Sequence, residues 1–158
     1  AQVAGVATAA GCQLIASCDL AYAGKSASFA TPGVNIGLFC STPMVALSRN
    51  ISNKNSMEML LTGELVSADK AEKVGLINKA VDDSLLHNYT LEMALKISKK
   101  SSMTLKIGKE AFYKQIDMTL SKAYDYASNV MVKNMLKLDA EEGIDAFIEK
   151  RSSKWKDK

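Results

Sequence analysis

Residue types with distinctive chemistry are scarce in this 158-residue sequence, which has one histidine, three cysteines and two prolines. The cysteines, Cys12, Cys18 and Cys40, show no CxxC spacing, and a single histidine leaves no Cys/His metal site to argue from spacing. We therefore expect no metal site, and free thiols in a reducing compartment. The histidine, His87, is expected to face solvent.

Long apolar runs and dense basic clusters are also missing. No run approaches the roughly 20 apolar residues that a membrane-spanning helix requires. The formal net charge is +3, and no Lys/Arg cluster is interleaved with aromatic residues as in nucleic-acid-binding segments. We therefore expect neither a membrane nor a nucleic acid among the partners.

Charge is nearly absent from the first third of the chain. Residues 1–50 carry only Asp19, Lys25 and Arg49, which leaves 18 of the 20 basic and 16 of the 17 acidic residues in 51–158. The first third should therefore be buried or lie in an interface. The remainder should form amphipathic helices with solvated faces.

Turn and cap residues divide the chain into short elements. Thr8 is predicted to cap a helix that ends at Ser17, and Ser67 to cap a helix that Gly75 closes. Extended segments are predicted at 20–23, 28–30 and 76–81. Further helices are predicted to run from Pro43 to 49 and over 54–61, 84–99, 102–115, from 120 onward and after 139.

The segment Gly5–Leu14 carries small residues directly before a predicted helix. Small residues let a ligand approach the backbone closely. The first N–H groups of a helix have no internal partner and lie at the positive end of its dipole. Such a segment can hold a thioester oxygen and the enolate oxyanion that develops from it. The alternative is tight packing of a helix on a sheet, which the pattern alone favours.

Several motifs in order resemble the crotonase superfamily, the enoyl-CoA hydratases and isomerases. They are Ala4–Leu14 followed by Cys18-Asp19, Phe29–Gly33 with Gly37-Leu38, Leu61–Gly63 with Ser67-Ala68 and Gly75–Asn78, and Glu142-Gly143 with Ala146–Arg151. The resemblance covers essentially the whole chain. It is strongest to the enoyl-CoA hydratase domain-containing protein 3 subgroup.

The resemblance implies an α/β fold of the ClpP/crotonase type. Residues 1–81 would be a remnant of the ββα spiral core, and residues 82–158 a C-terminal helical trimerisation region. The chain starts without Met, in what resembles the middle of a strand. We therefore expect it to be the C-terminal portion of such a protein.

The resemblance also implies a site. The backbone N–H of Ala10 would be one oxyanion-hole donor, provided that its φ is negative, and an upstream strand end would supply the other. Gln13 and Gly33 stand at the positions of the two family glutamates, and residues 31–56 contain no Asp or Glu. The substrate pocket would be lined by Ala9, Pro32, Ile36, Phe39 and Cys40.

Two further residues have alternative roles. Cys40 could be a nucleophile, but no activating base accompanies it, so pocket lining is the better interpretation. Lys150 matches a position near the CoA phosphates, or it is a solvated lysine.

Without either glutamate, hydration and double-bond shift lose their usual acid and base. We therefore expect an acyl-CoA-binding enzyme with lyase, decarboxylase or hydrolase chemistry. Restoring glutamate at both positions should return some hydration if the geometry survives. The alternatives are a catalytically degenerate acyl-CoA-binding or hetero-oligomerising relative, or an oligomerisation piece of a longer protein. Coenzyme A would enter as part of the substrate, with no separate cofactor. The family implies a homotrimer or hexamer (a dimer of trimers). It slightly favours the mitochondrial matrix, and the cytoplasm is the alternative.

Overall fold

The structure is a computed structural model that describes residues 1–157. Contacts divide the chain into unit 1, Ala1–Met93, and unit 2, which begins at Ala94. The predicted functional boundary after residue 81 stays a prediction.

Unit 1 contains short strands arranged in two sheets. The strands are β1 (Gln2–Val3), β2 (Val6–Thr8), β3 (Tyr22–Gly24), β4 (Ser28–Ala30), β5 (Val66–Ser67) and β6 (Lys79–Val81). One sheet has the order β1-β3-β6 with parallel pairing throughout. In the other, of order β2-β4-β5, β2 and β4 are parallel and β5 is antiparallel to β4. The first four strands alternate between the sheets, so consecutive β-β segments stack in parallel as a spiral requires.

The helices of unit 1 begin and end within about two residues of their predicted bounds. They are α1 (Ala10–Ser17), α2 (Ser41–Asn50), α3 (Asn53–Thr62) and α4 (Ala68–Val74), and α5 (Leu86–Ser98) continues past the unit boundary. The Ser67 hydroxyl accepts from the N–H of Lys70 and so caps α4, as predicted. Gly63 and Gly75 end α3 and α4 with φ of 63° and 85°, a conformation that favours glycine.

A small core lies between the sheets and helices of unit 1. Phe29, Leu47 and Leu60 are its largest apolar side chains, and each is almost fully buried. Cys12 and Ile15 from α1 join the same cluster. The predicted burial of the first third therefore holds only in part, because Val6 and Leu14 are 67% and 64% exposed.

Unit 2 consists of helices and a C-terminal tail. The helices are α6 (Ser102–Gln115), α7 (Leu120–Met135) and α8 (Leu138–Ile148). Their predicted apolar stripe is largely solvent-exposed in the single chain, with Phe147 85% exposed. Within residues 1–157 no helix is both long and apolar enough to span a membrane.

The tail after α8 is held by carboxylates of that helix. Glu142 accepts two hydrogen bonds from Arg151 and one from the N–H of Lys154. The buried Asp139 carboxylate accepts from the N–H of Lys156 at 2.7 Å. The indole N–H of Trp155 donates to the carbonyl oxygen of Lys99 at 2.7 Å.

Candidate functional site

The start of α1 is formed by the backbone of Ala9. Ala9 has φ 48° and ψ −115°, and no side chain caps the helix. The prediction that Thr8 is the cap is wrong, because Thr8 is still the last residue of β2 and pairs with Ala30. The turn from strand to helix therefore falls on the next residue.

This conformation of Ala9 is strained. Positive φ is uncommon for residues other than glycine, and such positions cost on the order of 1–3 kcal/mol. Ala10 is not among the positive-φ residues of the described chain, so its φ is negative, as its predicted role requires. The first intrahelical bond is donated by the N–H of Gln13 to the carbonyl oxygen of Ala9, at 3.0 Å. The N–H of Ala10 precedes it and has no intrahelical partner.

The parallel pair β2–β4 brings the predicted site segments together. The N–H of Ala9 donates to the carbonyl oxygen of Ala30 at 3.0 Å. Because both strands end at the same sheet edge, the start of α1 lies beside the segment that follows β4, Thr31 to Gly33. Ligands of α/β folds bind beyond the carboxyl ends of parallel strands. Gln13 and Gly33, the two positions predicted to correspond to the family glutamates, are therefore carried on segments that start at this edge.

Gly33 has no room for a side chain. A Cβ built on it would lie 2.7 Å from the carbonyl oxygen of Leu38 and 2.9 Å from the sulfur of Cys40. The N–H of Gly33 donates to that sulfur at 3.3 Å. Restoring a glutamate here therefore needs the loop to move. The gain of hydration expected from the double substitution, which requires the geometry to survive, stays a prediction. Sequence reasoning missed this contact because no local pattern signals it.

The remaining predicted pocket residues differ in exposure. Ala9, Gln13, Pro32 and Cys40 are half-buried. Ile36 and Phe39 are 76% and 42% exposed. Ile36 ends the 3₁₀ helix Pro32–Ile36, and Phe39 lies on the loop between that helix and α2. Within residues 1–157, the side of the predicted pocket formed by this segment is therefore exposed to solvent at Ile36.

The thiol of Cys12 is unsuited to nucleophilic chemistry. Burial, with a smaller contribution from Cys40, raises its pKa to about 11. A thiol with such a pKa stays protonated near neutral pH and attacks poorly.

Lys150 belongs to unit 2, and His87 lies on α5 of unit 1. Lys150 follows α8 with φ 55°, and the N–H of Arg151 donates to the carbonyl oxygen of Ala146 at 3.0 Å. This is a Schellman-type helix end with lysine at the position that favours glycine. His87 is exposed, as predicted. Among residues 1–157 no group of three or more His, Cys, Asp or Glu side chains could hold a metal ion.

Comparison with known proteins gives one consistent family. The family model described as enoyl-CoA hydratase/isomerase matches residues 1–158. The mouse protein named enoyl-CoA hydratase domain-containing protein 3, mitochondrial, is 53% identical over 155 residues, covering 98% of this chain and 52% of the relative. Its human counterpart is 50% identical, with coverages of 98% and 51%.

Solved structures agree with this result. A crystal structure of an enoyl-CoA hydratase from Mycobacterium smegmatis superposes with a TM-score of 0.95 and 50% identity, covering 97% of this chain and 60% of that one. The human enoyl-CoA hydratase domain-containing protein 3 gives a TM-score of 0.93 and 49% identity, covering 98% and 62%. The predicted crotonase-type α/β fold is thereby confirmed. The chain spans about half the length of the curated relatives it matches.

Proposed function

Since this chain belongs to the enoyl-CoA hydratase/isomerase (crotonase) family, in the subgroup of enoyl-CoA hydratase domain-containing protein 3, we propose that it binds acyl-CoA thioesters and stabilises an enolate oxyanion. The observation that carries the proposal is the strained backbone of Ala9. Strain of this kind persists where the surrounding structure enforces it, often at functional sites. Here it sets the orientation of the peptide that carries the N–H of Ala10.

The proposed donor is the N–H of Ala10. It belongs to the first residue of α1, where the helix dipole adds to the attraction for a negative oxygen. Loss of one oxyanion donor typically lowers kcat by about 10²–10³-fold. The second donor belongs to the part of the family fold that this chain does not span.

Chemistry at the site follows from the missing carboxylates. Hydration needs a base to activate water and an acid to protonate carbon. The amide of Gln13 can hydrogen-bond water but cannot remove its proton near neutral pH, and the space beside Gly33 is filled by Leu38 and Cys40. The proposed reaction is therefore one in which the enolate forms without a side-chain base.

Decarboxylation of a malonyl-type thioester meets this requirement. The bond between the α-carbon and the carboxylate breaks, CO2 leaves, and the electron pair moves onto the thioester oxygen. The Ala10 N–H stabilises that enolate oxygen, and a solvent proton then adds to the carbon. Preferential stabilisation of the enolate over the ground-state thioester accelerates the step.

A non-catalytic acyl-CoA-binding protein is the second candidate. It is favoured by the absence of Asp and Glu from residues 31–56, which leaves this side of the predicted pocket without a carboxylate for proton transfer. The exposed apolar stripe of α7 and α8 supports assembly with other subunits, proposed as a trimer or a hexamer. The relatives' names carry the word mitochondrial, so the proposed compartment is the mitochondrial matrix.

Turnover assays on the full-length protein distinguish the candidates. The substrates are a 2-enoyl-CoA, a 3-enoyl-CoA and a malonyl-type CoA ester. Turnover of the last alone supports the decarboxylase, and tight binding of all three without turnover supports the binding protein. Fast hydration of the 2-enoyl-CoA contradicts the roles given to Gln13 and Gly33.

A backbone substitution tests the donor. Replacing Ala10 by lactate exchanges its N–H for an ester oxygen and keeps the rest of the backbone; proline is unsuitable because the residue before a proline avoids the φ 48° and ψ −115° of Ala9. The matched control replaces Leu120, the first residue of α7, by its own hydroxy acid. The proposal expects thioester binding to weaken in the Ala10 ester alone while both variants stay folded. Wild-type affinity in a folded Ala10 ester contradicts it.

A further inference from the structure

Cys40 contacts the site through Gly33. Its sulfur accepts the N–H of Gly33 at 3.3 Å and lies 2.9 Å from where a Cβ at that position would be. The Cys40 side chain therefore occupies the space that a side chain at position 33 would need, and its sulfur accepts the hydrogen bond of the Gly33 backbone amide.

The rest of the loop closes around the same contact. The N–H of Leu38 donates to the carbonyl oxygen of Gly33 at 2.9 Å. Both backbone polar groups of Gly33 are therefore used inside its own loop. Cys40 directly precedes α2 and packs against the hydrophobic core of unit 1, so it ties this wall of the site to the core.

We infer that Cys40 is a positioning residue, which fixes the Pro32–Gly33 backbone relative to the Ala10 N–H and thereby sets the affinity for the acyl part of the ligand. The inference rests on the proposed function. It differs from a nucleophilic role because the sulfur acts as an acceptor for Gly33 and exchanges no proton or electrons with the ligand. A shift of this wall would change acyl contacts and leave contacts to the CoA moiety intact.

A double-mutant cycle tests the packing relation without any ligand. Gly33→Ala is made in wild-type and Cys40→Ala backgrounds, with Gly5→Ala as control because a Cβ on Gly5 meets nothing within 4 Å. Gly33→Ala is expected to lower Tm by about 5 °C more than Gly5→Ala does. The loss should be smaller in the Cys40→Ala background, where only Leu38 still obstructs. Equal losses in both backgrounds overturn the steric part of the inference.

Ligand binding tests the positioning role on the full-length protein. The probes are butyryl-CoA and free CoA, and the variants are Cys40→Ala, Cys40→Ser and the control Cys18→Ala. Cys40→Ala removes the acceptor and should raise the Kd for butyryl-CoA about tenfold, whereas Cys40→Ser keeps an acceptor and should stay within about twofold. Free CoA should bind all variants equally.

The outcomes separate the two proposals. If wild type binds neither probe, the proposed function fails, while the cycle still decides whether Cys40 and Gly33 are coupled. If Cys40→Ala binds butyryl-CoA like wild type, or weakens free CoA to the same extent, the positioning role is overturned. A serine variant that behaves like alanine also overturns it, because the acceptor would then be irrelevant.

Discussion

The N–H of Ala9 donates to the carbonyl oxygen of Ala30 at 3.0 Å, and this bond joins the two segments that carry the candidate site. It extends the β2–β4 pairing by one residue past Thr8. The same residue must then turn sharply to begin α1, and it does so at φ 48°. The strain at Ala9 is thus a consequence of holding both segments at one sheet edge.

Ala9→Gly should stabilise the protein. Glycine adopts positive φ without steric cost, and relief of strain should exceed its greater unfolded-state entropy by about 1 kcal/mol. Thermal or denaturant unfolding measures the gain. Ala123→Gly, inside α7, is the matched control and should destabilise by up to about 1 kcal/mol. A loss of stability in Ala9→Gly would contradict the strain assigned to this residue.

Glutamate should be tolerated at position 13 but not at position 33. Gln13 is half-buried on α1, so Gln13→Glu should change the free energy of unfolding by only about 0.5 kcal/mol. Gly33→Glu should destabilise by several times as much, on the order of 2–3 kcal/mol, because its Cβ meets Leu38 and Cys40. Neither single variant should hydrate a 2-enoyl-CoA. Rapid hydration by Gln13→Glu would show that one carboxylate is enough.

Lys150→Gly separates the structural and binding roles of this position. The helix end with φ 55° favours glycine, so the variant should gain about 0.5–1 kcal/mol of stability. If Lys150 contacts the CoA phosphates, the same variant should bind free CoA more weakly. Lys150→Ala is the control, because it removes the charge and keeps the strain. Unchanged CoA affinity in both variants would show that Lys150 is a solvated lysine that does not contact CoA.

The C-terminal tail should loosen at acidic pH. Hydrogen bonds from Arg151 and from the N–H of Lys154 lower the pKa of Glu142 from its usual 4.5 to about 2. A lowered pKa in the folded state adds stability above pH 4.5 that is lost as pH falls through about 2. Hydrogen bonds from Ser101 and from the tail backbone likewise lower the pKa of Asp139, which acts in the same direction. Trp155, the only tryptophan, gives a fluorescence signal for the tail.

A substitution identifies the group responsible. Glu142→Gln removes the charge and should loosen the tail at neutral pH, so its fluorescence should change less between pH 5 and pH 2 than that of wild type. Glu141→Gln changes the neighbouring carboxylate on α8 and should leave the wild-type profile intact. A profile that is the same in all three proteins would exclude Glu142 as its source.

Local chemistry explains which features the sequence predicted. Ser67 and Gly75 bound α4 through contacts with residues at most four positions away, so their pattern was sufficient. The resemblance assigned Ala10, Gln13 and Gly33 to one site, and the segments that carry them start at one sheet edge; their roles stay predictions. The φ of Ala9 could not be predicted because it depends on a bond to Ala30 across the sheet. The sulfur of Cys40 beside Gly33 depends on loop closure, which composition and periodicity do not encode.

The filled space beside Gly33 also constrains the order of mutations by which an acidic residue could arise there during evolution. A single mutation to glutamate at this position meets an occupied site and is selected against through instability before any new activity can be favoured. A permissive change at Cys40, together with a shift of the Leu38 backbone, would have to come first. An acidic side chain at position 33 therefore requires more than one change, whatever reaction the protein serves.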